Sequence, residues 1–400
     1  MPEIARLLDE YGACCESAEN RRRLALWAPD HPGLRGETQW HGVPGYTADS
    51  GRPMPVTAEC LEKMWEPILG MDLTRFYTDP DCYLEYFLRY KLLKFRRLAD
   101  DTPLTREIPI CFGVTNEAAM LGQRVHLLPG MEPQLAGESI VDEQTPLPSQ
   151  IDFASAPYLA EMAIPFYRRI RLLAGREFRV LFPQWYRGPQ GVALYIRGFE
   201  NFAVDMHENP AFARRLLRYA TDAAIQFARW RAEFSGEPIA PCDLFNDDIP
   251  LMSPRSYAEL FRPCEQTLSD FHGGVAYWHS CGDITRHLGE IGRLTGVRLI
   301  DFGVSMEDKG EALRRLAEAG GGTIPCAIEF RVMAQRHIQE ASEEAQKAYV
   351  REILDGCRRH RLSRYVLRSS GMSILLGGEA DLARLARWVE LVREVQAEEA

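Results

Sequence analysis

The second half of this 400-residue chain alternates between short apolar segments and longer amphipathic segments. Four apolar segments predict short buried strands, at residues 274–278, 297–302, 322–328 and 364–367. Helical patterns lie between them over residues 311–319 and 345–357, and a last helix begins near Asp381. Strands that alternate with helices form a parallel sheet with the helices packed outside it. The alternation therefore restricts the fold to the α/β class.

Two architectures fit this order of elements, a doubly wound sheet and a (β/α)8 barrel. No G-x-G-x-x-G sequence opens a helix after an early strand, as it would in a dinucleotide-binding doubly wound sheet. A chain of this length with 46% apolar residues can form one large barrel with insertions. We predict a (β/α)8 TIM barrel over residues 71–400, preceded by an N-terminal extension of loops and short helices over residues 1–70. The extension covers the barrel mouth or packs on its side.

Two helices begin with a capping residue followed by proline. Asn209 precedes Pro210, and apolar residues then recur at helical spacing, which predicts a long helix. Ser253 and Pro254 repeat the same start signal. Pro263 lies inside the second helix and predicts a kink, because proline cannot continue the backbone hydrogen bonds.

Charge and cysteine content exclude several functional classes. The net charge is -10, and Lys and Arg are scattered, so the chain has no basic stretch suited to nucleic acid or an anionic membrane. No apolar run approaches the roughly 20 residues needed to span a bilayer. Ten cysteines occur in a long chain without the apolar core of a signal peptide, which indicates a reducing compartment. We predict a cytoplasmic protein that acts on a small molecule.

His279 and Cys281 stand two residues apart at the end of the strand predicted over residues 274–278. Residues i and i+2 of a strand share a face, so the imidazole and the thiol can reach one ion together. Zinc above all suits this pair of donors. We therefore predict that His279 and Cys281 are metal ligands.

Other polar residues lie where strands are predicted to end. Asp301 closes the segment 297–302, Cys326 lies near the end of the next strand, and Asp247 and Asp248 follow an apolar segment. Active sites of barrel enzymes collect at the carboxyl ends of the strands. Asp247 and Asp248 are predicted to act as catalytic acid or base, or as carboxylate partners of a ligating histidine. Asp301 is predicted to bind substrate.

A loop before the long helix has the composition of a barrel rim loop. Residues 183–189 read Pro-Gln-Trp-Tyr-Arg-Gly-Pro, with Tyr186 and Arg187 at the centre. A guanidinium group on the rim could hold an anionic group. We predict that Tyr186 and Arg187 bind substrate.

Residues 246–254, with Tyr257 and Pro263, and the sequence His279-Ser280-Cys281-Gly282-Asp283 resemble the uroporphyrinogen decarboxylase superfamily, most closely its cobalamin-linked methyltransferase branch. Residues 194–201 look like the family's segment before its long helix. The resemblance covers most of residues 70–400, and His-x-Cys-Gly is its most specific element. It implies a (β/α)8 barrel with a pocket at the carboxyl ends of the strands, in a family that often forms homodimers.

In the methyltransferase branch, zinc held by His-x-Cys and a later cysteine binds a thiol as thiolate, which then takes a methyl group from a methyl-corrinoid protein. By this resemblance, His279 and Cys281 are two of the ligands. The matching segment for the later cysteine, residues 368–373, contains none. The candidates for the third ligand are Cys326 and, as oxygen donors, Asp247, Asp248 and Glu329.

The resemblance predicts a zinc-dependent methyl or alkyl transferase with a thiol-type acceptor. Nothing in the chain resembles a cobalamin-binding domain, so a separate corrinoid protein would supply the methyl donor. The alternatives are a metal-free decarboxylase or lyase acting on a carboxylated or aromatic substrate, and a non-enzymatic carrier of corrinoid or metal. Porphyrinogen decarboxylation fits less well, because the arginines at 21–23 lack the order of the family's arginine-rich motif and predict a solvated helix face.

Overall fold

The computed structural model describes residues 2–27, 54–362, 364–372 and 375–399. The turn-rich part of the predicted extension, residues 28–53, lies outside the described residues. The strands are β1 Val56–Cys60, β2 Glu107–Pro109, β3 Val125–His126, β4 Gln134–Leu135, β5 Arg179–Leu181, β6 Cys242–Phe245, β7 Val275–His279, β8 Leu299–Phe302, β9 Ala327–Val332 and β10 Tyr365–Met372.

Helices follow or separate these strands along the chain. The α-helices are α1 Pro2–Cys15, α2 Ala18–Leu24, α3 Glu62–Leu69, α4 Leu73–Thr78, α5 Pro80–Arg97, α6 Asn116–Met120, α7 Ile164–Ala174, α8 Pro189–Arg197, α9 Phe199–Glu208, α10 Pro210–Ser235, α11 Pro254–Ser256, α12 Arg262–His272, α13 Leu288–Ile291, α14 Lys309–Ala319, α15 Glu343–Arg359 and α16 Gly378–Glu398. Short 3-10 segments are Gly113–Thr115, Phe153–Ser155, Ile249–Leu251 and Thr285–His287. π-helical segments are Tyr158–Ala163, Tyr257–Phe261 and Ala334–Gln339.

A curled parallel sheet dominates the molecule. Its six strands run in the order β1-β10-β9-β8-β7-β6. A second parallel sheet pairs β2 with β5. An isolated parallel bridge joins Arg187, in the segment after β5, to Phe245 of β6. A small antiparallel pair, β3 and β4, forms a hairpin. The predicted α/β class and parallel sheet are confirmed.

Closure of the predicted (β/α)8 barrel is not complete among the described residues, where β1 and β2 do not pair. Side-chain carboxylates occupy the free edge of β1 instead. The N–H of Val56 donates to Asp101 and the N–H of Ala58 donates to Asp100, both at 2.9 Å. Asp100 also lies 3.5 Å from Arg23. The sequence predicted that Arg23 would lie on a solvated helix face, whereas its side chain is buried. These groups satisfy an edge that would otherwise expose unpaired backbone donors.

Alternate residues of the strands face two different environments. On β9, Ile328 and Phe330 pack into the main hydrophobic core, on the face that the helices cover. The other face carries a smaller apolar cluster of Tyr186, Phe245, Tyr277, Leu299 and Ala327. This division follows from the two-residue period of a strand in a sheet with both faces buried.

Most predicted strands lie within a few residues of the observed ones, but the segment 322–328 is wrong. The observed strand β9 begins only at Ala327. Gly321 and Gly322 have φ values of 68° and 97°, and the N–H of Gly322 closes the end of α14 on the carbonyl of Ala317 at 2.8 Å. A left-handed glycine turn therefore uses residues that the apolar pattern had assigned to a strand.

Strand β1 lies before the predicted boundary at residue 70, and it is an integral strand of the main sheet. Helix α1 packs on α5 and α7. The ring of Tyr11 of α1 lies tilted against that of Phe87, at a centroid distance of 6.4 Å, and edge-on to that of Phe178, at 6.0 Å. The described N-terminal segment thus packs on the side of the sheet's helical layer.

Both predicted helix starts are confirmed. The side chain of Asn209 accepts a hydrogen bond from the N–H of Phe212, and that of Ser253 accepts one from Ser256. Pro263 follows a π-helical segment, because its missing N–H cannot continue the α-helical ladder. Among the described residues, no helix combines the length and apolarity needed to cross a bilayer.

Candidate metal centre and cavity

The carboxyl ends of β6 and β7 bring three donor side chains together. Parallel pairing places Phe245 opposite His279, and the N–H of Asn246 donates to the carbonyl of His279 at 2.8 Å. The next residue, Asp247, therefore reaches the same end of the sheet as His279 and Cys281. Its Oδ1 accepts the backbone N–H of Cys281 at 2.9 Å.

The three donor atoms are spaced as ligands of one ion would be. Nε2 of His279 lies 3.3 Å from Oδ1 of Asp247 and 3.2 Å from Sγ of Cys281. All three ligand atoms lie within 4.8 Å of one another. Tetrahedral zinc, with bonds of about 2.0 Å to nitrogen and oxygen and about 2.3 Å to sulfur, separates its ligands by roughly 3.3–3.5 Å. The residues present thus fit a zinc ion.

Asp301 lies behind the imidazole rather than in contact with the cavity. Its Oδ2 accepts a hydrogen bond from Nδ1 of His279, and the side chain is fully buried. Asp301 was predicted to bind substrate, but its side chain contacts the imidazole of His279 and does not contribute to the wall of the cavity beside Cys281. A carboxylate on Nδ1 fixes the ring so that Nε2 points toward Asp247 and Cys281.

Burial and neighbouring charges shift the pKa values of His279 and Asp301 in opposite directions. Burial by itself would lower the pKa of His279, but Asp301 and Asp247 outweigh it and hold that pKa well above its ordinary value. Burial would raise the pKa of Asp301, and the charges of Arg331 and His279 reverse this and lower it. In the metal-free protein, the imidazolium therefore donates toward carboxylates on both sides.

A buried ion network extends from Asp301 across the inner face of the sheet. Arg331 pairs with Glu59 and lies 3.4 Å from Asp301. Arg368 lies 3.4 Å from Glu59 and 3.7 Å from Glu329. All five side chains are at least nine-tenths buried. Such a network is costly to leave incomplete, because each charge has lost its water.

Sequence reasoning missed most of this network. Asp301 was predicted to bind substrate, and Glu329 was considered only as a metal ligand, whereas it accepts a hydrogen bond from Tyr277 at 2.7 Å. A signal was present, since Glu329 and Arg331 are charged residues two apart inside a strand whose other residues are apolar. Charged residues at that spacing in a buried strand indicate a polar inner face.

A cavity of about 390 Å³ opens beside Cys281. Arg331, Ser370 and Gly371 contribute to its wall. Ser370 and Gly371 belong to the segment that matches the family's later cysteine, so this segment reaches the cavity with the hydroxyl group of Ser370 rather than with a thiol. Cys281 is exposed, so its sulfur is accessible from solvent.

The structure corrects the position of Cys326. This residue precedes β9, so it lies at the amino end of the strand, opposite to the edge that carries His279 and Cys281. Its side chain is buried in the main hydrophobic core, and burial raises its pKa to about 12. Cys326 therefore lies away from the candidate metal centre, in which Asp247 is the third donor side chain beside His279 and Cys281.

Tyr186 and Arg187 are both buried. The ring of Tyr186 stacks on Phe245, with centroids 5.5 Å apart. Arg187 lies 3.6 Å from Asp248 and over the ring of Tyr195 at 4.5 Å. Neither Tyr186 nor Arg187 belongs to the wall of the cavity beside Cys281. Their binding to substrate stays a prediction, and the observed contacts are structural.

The chain is similar in sequence to one protein family and in structure to a solved methyltransferase. The family model described as uroporphyrinogen decarboxylase (URO-D) matches residues 105–395. The chain belongs to the URO-D family. A solved methyltransferase from Methanosarcina mazei is 15% identical and superposes with a TM-score of 0.59, over 86% of this chain and 96% of that one. At this identity the likeness shows a shared fold. No curated protein sequence matches the chain significantly.

The URO-D match begins after β1, yet β1 contributes to the site. Glu59 of β1 pairs with Arg331, which in turn lies beside Asp301. The first strand of this URO-D family member is thus linked to the candidate metal centre through the buried charges of Glu59 and Arg331. It also pairs with β10, whose residues form part of the cavity wall.

The buried carboxyl group of Glu265, which contacts Trp278 of β7, allows a pH test. Glu265 accepts hydrogen bonds from Tyr257 at 2.7 Å and Trp278 at 3.0 Å, and burial raises its pKa to about 7. Between pH 4.5 and 7 the folded protein retains this proton and the unfolded chain loses it. We expect the contribution of Glu265 to the free energy of unfolding to fall by roughly 3 kcal/mol as pH rises through that window.

Urea unfolding at pH 5 and pH 7.5 checks this expectation. The Glu265→Gln variant should lose that part of the pH dependence, because glutamine has no proton to exchange. A matched control is Glu259→Gln, which changes a half-exposed carboxyl paired with Arg255 and should retain it. Equal pH dependence in the wild type and Glu265→Gln would contradict the assignment.

Proposed function

We propose that this protein is a zinc-dependent methyl or alkyl transferase, which moves a methyl group from a methyl-corrinoid protein to a thiol-type acceptor. The observation that carries the proposal is the convergence of Asp247, His279 and Cys281 on one point beside a cavity. Zinc bound there would lower the pKa of an acceptor thiol and favour its thiolate.

The chain's own residues have separable roles in this proposal. Asp247, His279 and Cys281 would hold the metal, since a catalytic zinc site uses three protein ligands and leaves one position open. Asp301 would keep the proton on Nδ1 of His279, so that Nε2 remains available as a donor. The exposed side of Cys281 faces the cavity, which would give an acceptor access to the open position.

Exposed apolar side chains near the cavity support a protein partner as methyl donor. Leu127, Leu128 and Met131 lie between β3 and β4, and Met131 is part of the cavity wall. Leu375 and Leu376 follow the carboxyl end of β10 and are also exposed. Large apolar side chains grouped around a site are typical of interaction surfaces. We propose that a corrinoid protein docks over them.

The metal-free decarboxylase or lyase is the weaker proposal. An enzyme that binds a multi-carboxylate substrate needs free cationic side chains in its pocket. Arg331 is the buried cation in the cavity wall, and it is already paired with Glu59 and Asp301. Glu62 and Glu132 add further carboxyl groups to the same wall. This charge balance disfavours a polyanionic substrate.

Metal content of two adjacent aspartate variants tests the proposed site. We expect about one zinc per chain in the wild type and in Asp248→Ala, which removes the partner of Arg187. Asp247→Ala should lower the affinity for zinc by at least about 100-fold, because losing a ligand exceeds the 10- to 100-fold cost of losing a supporting carboxylate.

Elemental analysis of protein purified without a histidine tag, followed by competition with a chelator, gives both quantities. Zinc retained equally by Asp247→Ala and Asp248→Ala would exclude Asp247 as the third ligand. A wild-type protein without metal, with activity that survives chelation, would replace the transferase proposal with the metal-free lyase.

A further inference from the structure

The cavity beside Cys281 contains two carboxyl groups that the proposed metal centre does not use. Glu62 is the first residue of α3, and Glu132 lies in the segment between β3 and β4. Both contribute to the wall of the 390 Å³ cavity, together with Cys281. A substrate that reaches the sulfur of Cys281 would therefore lie within a space that these two carboxyl groups border.

Glu62 is 7% exposed, and no other described residue gives its carboxyl group a hydrogen bond or an ion pair. Its own backbone N–H is the nearest donor. Glu132 is half-buried against Gly113, and it likewise has no cationic partner among the described residues. A carboxyl group that is buried without a partner costs free energy, and a bound cation would remove that cost.

Other charges around the cavity do not supply that cation. Arg331 is engaged by Glu59 and Asp301. Lys63 is exposed at the edge, and Lys91 lies over the rings of Phe87 and Tyr90 on α5. Among the described residues, none of these cations forms an ion pair with Glu62 or Glu132, and Lys91 acts on Glu62 only through the field of its charge.

The titration of Glu62 agrees with this environment. Burial, with smaller contributions from Glu132 and Glu59, raises its pKa to about 8, and Lys91 only partly opposes the shift. Burial also raises the pKa of Glu132. An ammonium group between the two carboxyl groups would favour their charged forms and so oppose the effect of burial on both pKa values.

We propose that the cavity beside Cys281 binds a substrate through a protonated amine, held by Glu62 and Glu132. This inference rests on the proposed function, within which it makes the methyl acceptor a small aminothiol rather than an acidic thiol. Leu73, Met131 and Val304 provide apolar wall for the carbon atoms between the amine and the sulfur. The ammonium group would lie between the carboxyl groups with the thiol directed toward Cys281.

Binding of three small molecules of similar size tests the amine site without requiring methyl transfer. Propylamine, propanol and propionate differ in the charge of one group, and calorimetric titration measures each dissociation constant at pH 7.5. We expect propylamine to bind at least about tenfold more tightly than propanol, as a charge-assisted hydrogen bond allows. Glu62→Gln and Glu132→Gln should each reduce this preference, and Glu66→Gln, outside the cavity wall on the same helix, should not.

The Cys281→Ser variant separates this inference from the proposed function. Propylamine should bind to Cys281→Ser as tightly as to the wild type, because the amine site does not include the metal ligands. If amine binding persists but neither protein transfers methyl to cysteamine, the proposed function fails and the amine site stands.

Tighter binding of propionate than of propylamine would overturn the inference, as would an unchanged preference in both glutamine variants. Circular dichroism of each variant confirms that it is folded. Glu132 is only half-buried, so Glu132→Gln provides a folded test even if Glu62→Gln does not fold.

Discussion

Replacing Cys281 with serine is expected to abolish zinc binding and methyl transfer together. A serine hydroxyl is a much weaker zinc donor than a thiolate, and the remaining pair, His279 and Asp247, cannot form a three-ligand catalytic site. We expect the zinc content to fall from about one per chain to near zero, and transfer from methylcobalamin to cysteamine to fall by at least about 100-fold. Elemental analysis and a spectroscopic cobalamin assay measure the two effects.

The matched control for this variant is Cys264→Ser. Cys264 lies on α12, and its sulfur donates to the carbonyl of Leu260 at 3.5 Å, a contact that a serine hydroxyl can replace. Zinc content and transfer should be unchanged in this control. Full activity in Cys281→Ser would remove this cysteine from the mechanism. Loss of transfer with zinc retained would instead assign Cys281 a chemical role other than ligation.

The largest effect on stability is expected from replacing Arg331 with methionine. Arg331 lies between Glu59 and Asp301, and all three are buried. Its removal takes the cation from between two buried carboxylates and leaves Glu59 with Arg368 alone and Asp301 with His279 alone, in a place that water does not reach. We expect the free energy of unfolding to fall by about 3–5 kcal/mol, the usual cost of breaking a buried ion pair from one side. Urea unfolding followed by circular dichroism measures the change.

An exposed arginine provides the control for this experiment. Arg336 lies 3.3 Å from Glu307, and both side chains are more than 60% exposed. Arg336→Met should change the free energy of unfolding by less than about 1 kcal/mol. The double variant Glu59→Gln with Arg331→Met should be less destabilised than the two single effects together, because it removes both partners. Equal losses for Arg331→Met and Arg336→Met would show that the buried network is solvated or protonated.

At the candidate metal centre, local sequence predicts two of the three donor side chains. His279 and Cys281 were predictable as a pair, because a strand carries residues i and i+2 on one face. The side chain of Asp247 joins them only because β6 pairs with β7 in the register that sets Phe245 opposite His279. Local sequence does not specify which residues of two strands pair, so Asp247 and Asp248 were equivalent candidates until the sheet was seen.

Cys326 shows the opposite case, in which a small local error changed a site assignment. The apolar pattern began the strand at Gly322, whereas the glycines there form a turn and the strand begins at Ala327. The five-residue displacement moved Cys326 from the carboxyl end of a strand to its amino end. An apolar run reports burial, but the left-handed glycine conformation that ends a helix is not visible in hydrophobic periodicity.

The sequence by itself determined the α/β class, the helices that begin at Asn209 and Ser253, and the adjacency of His279 and Cys281. Each of these depends on residues close together in the chain, through helical spacing, side-chain caps or the two-residue period of a strand. Only the tertiary structure decided the third donor, the place of Asp301 behind the imidazole, and the buried charges around Arg331. Those features depend on strand register and on which groups lose their water, and both arise from contacts between residues distant in sequence.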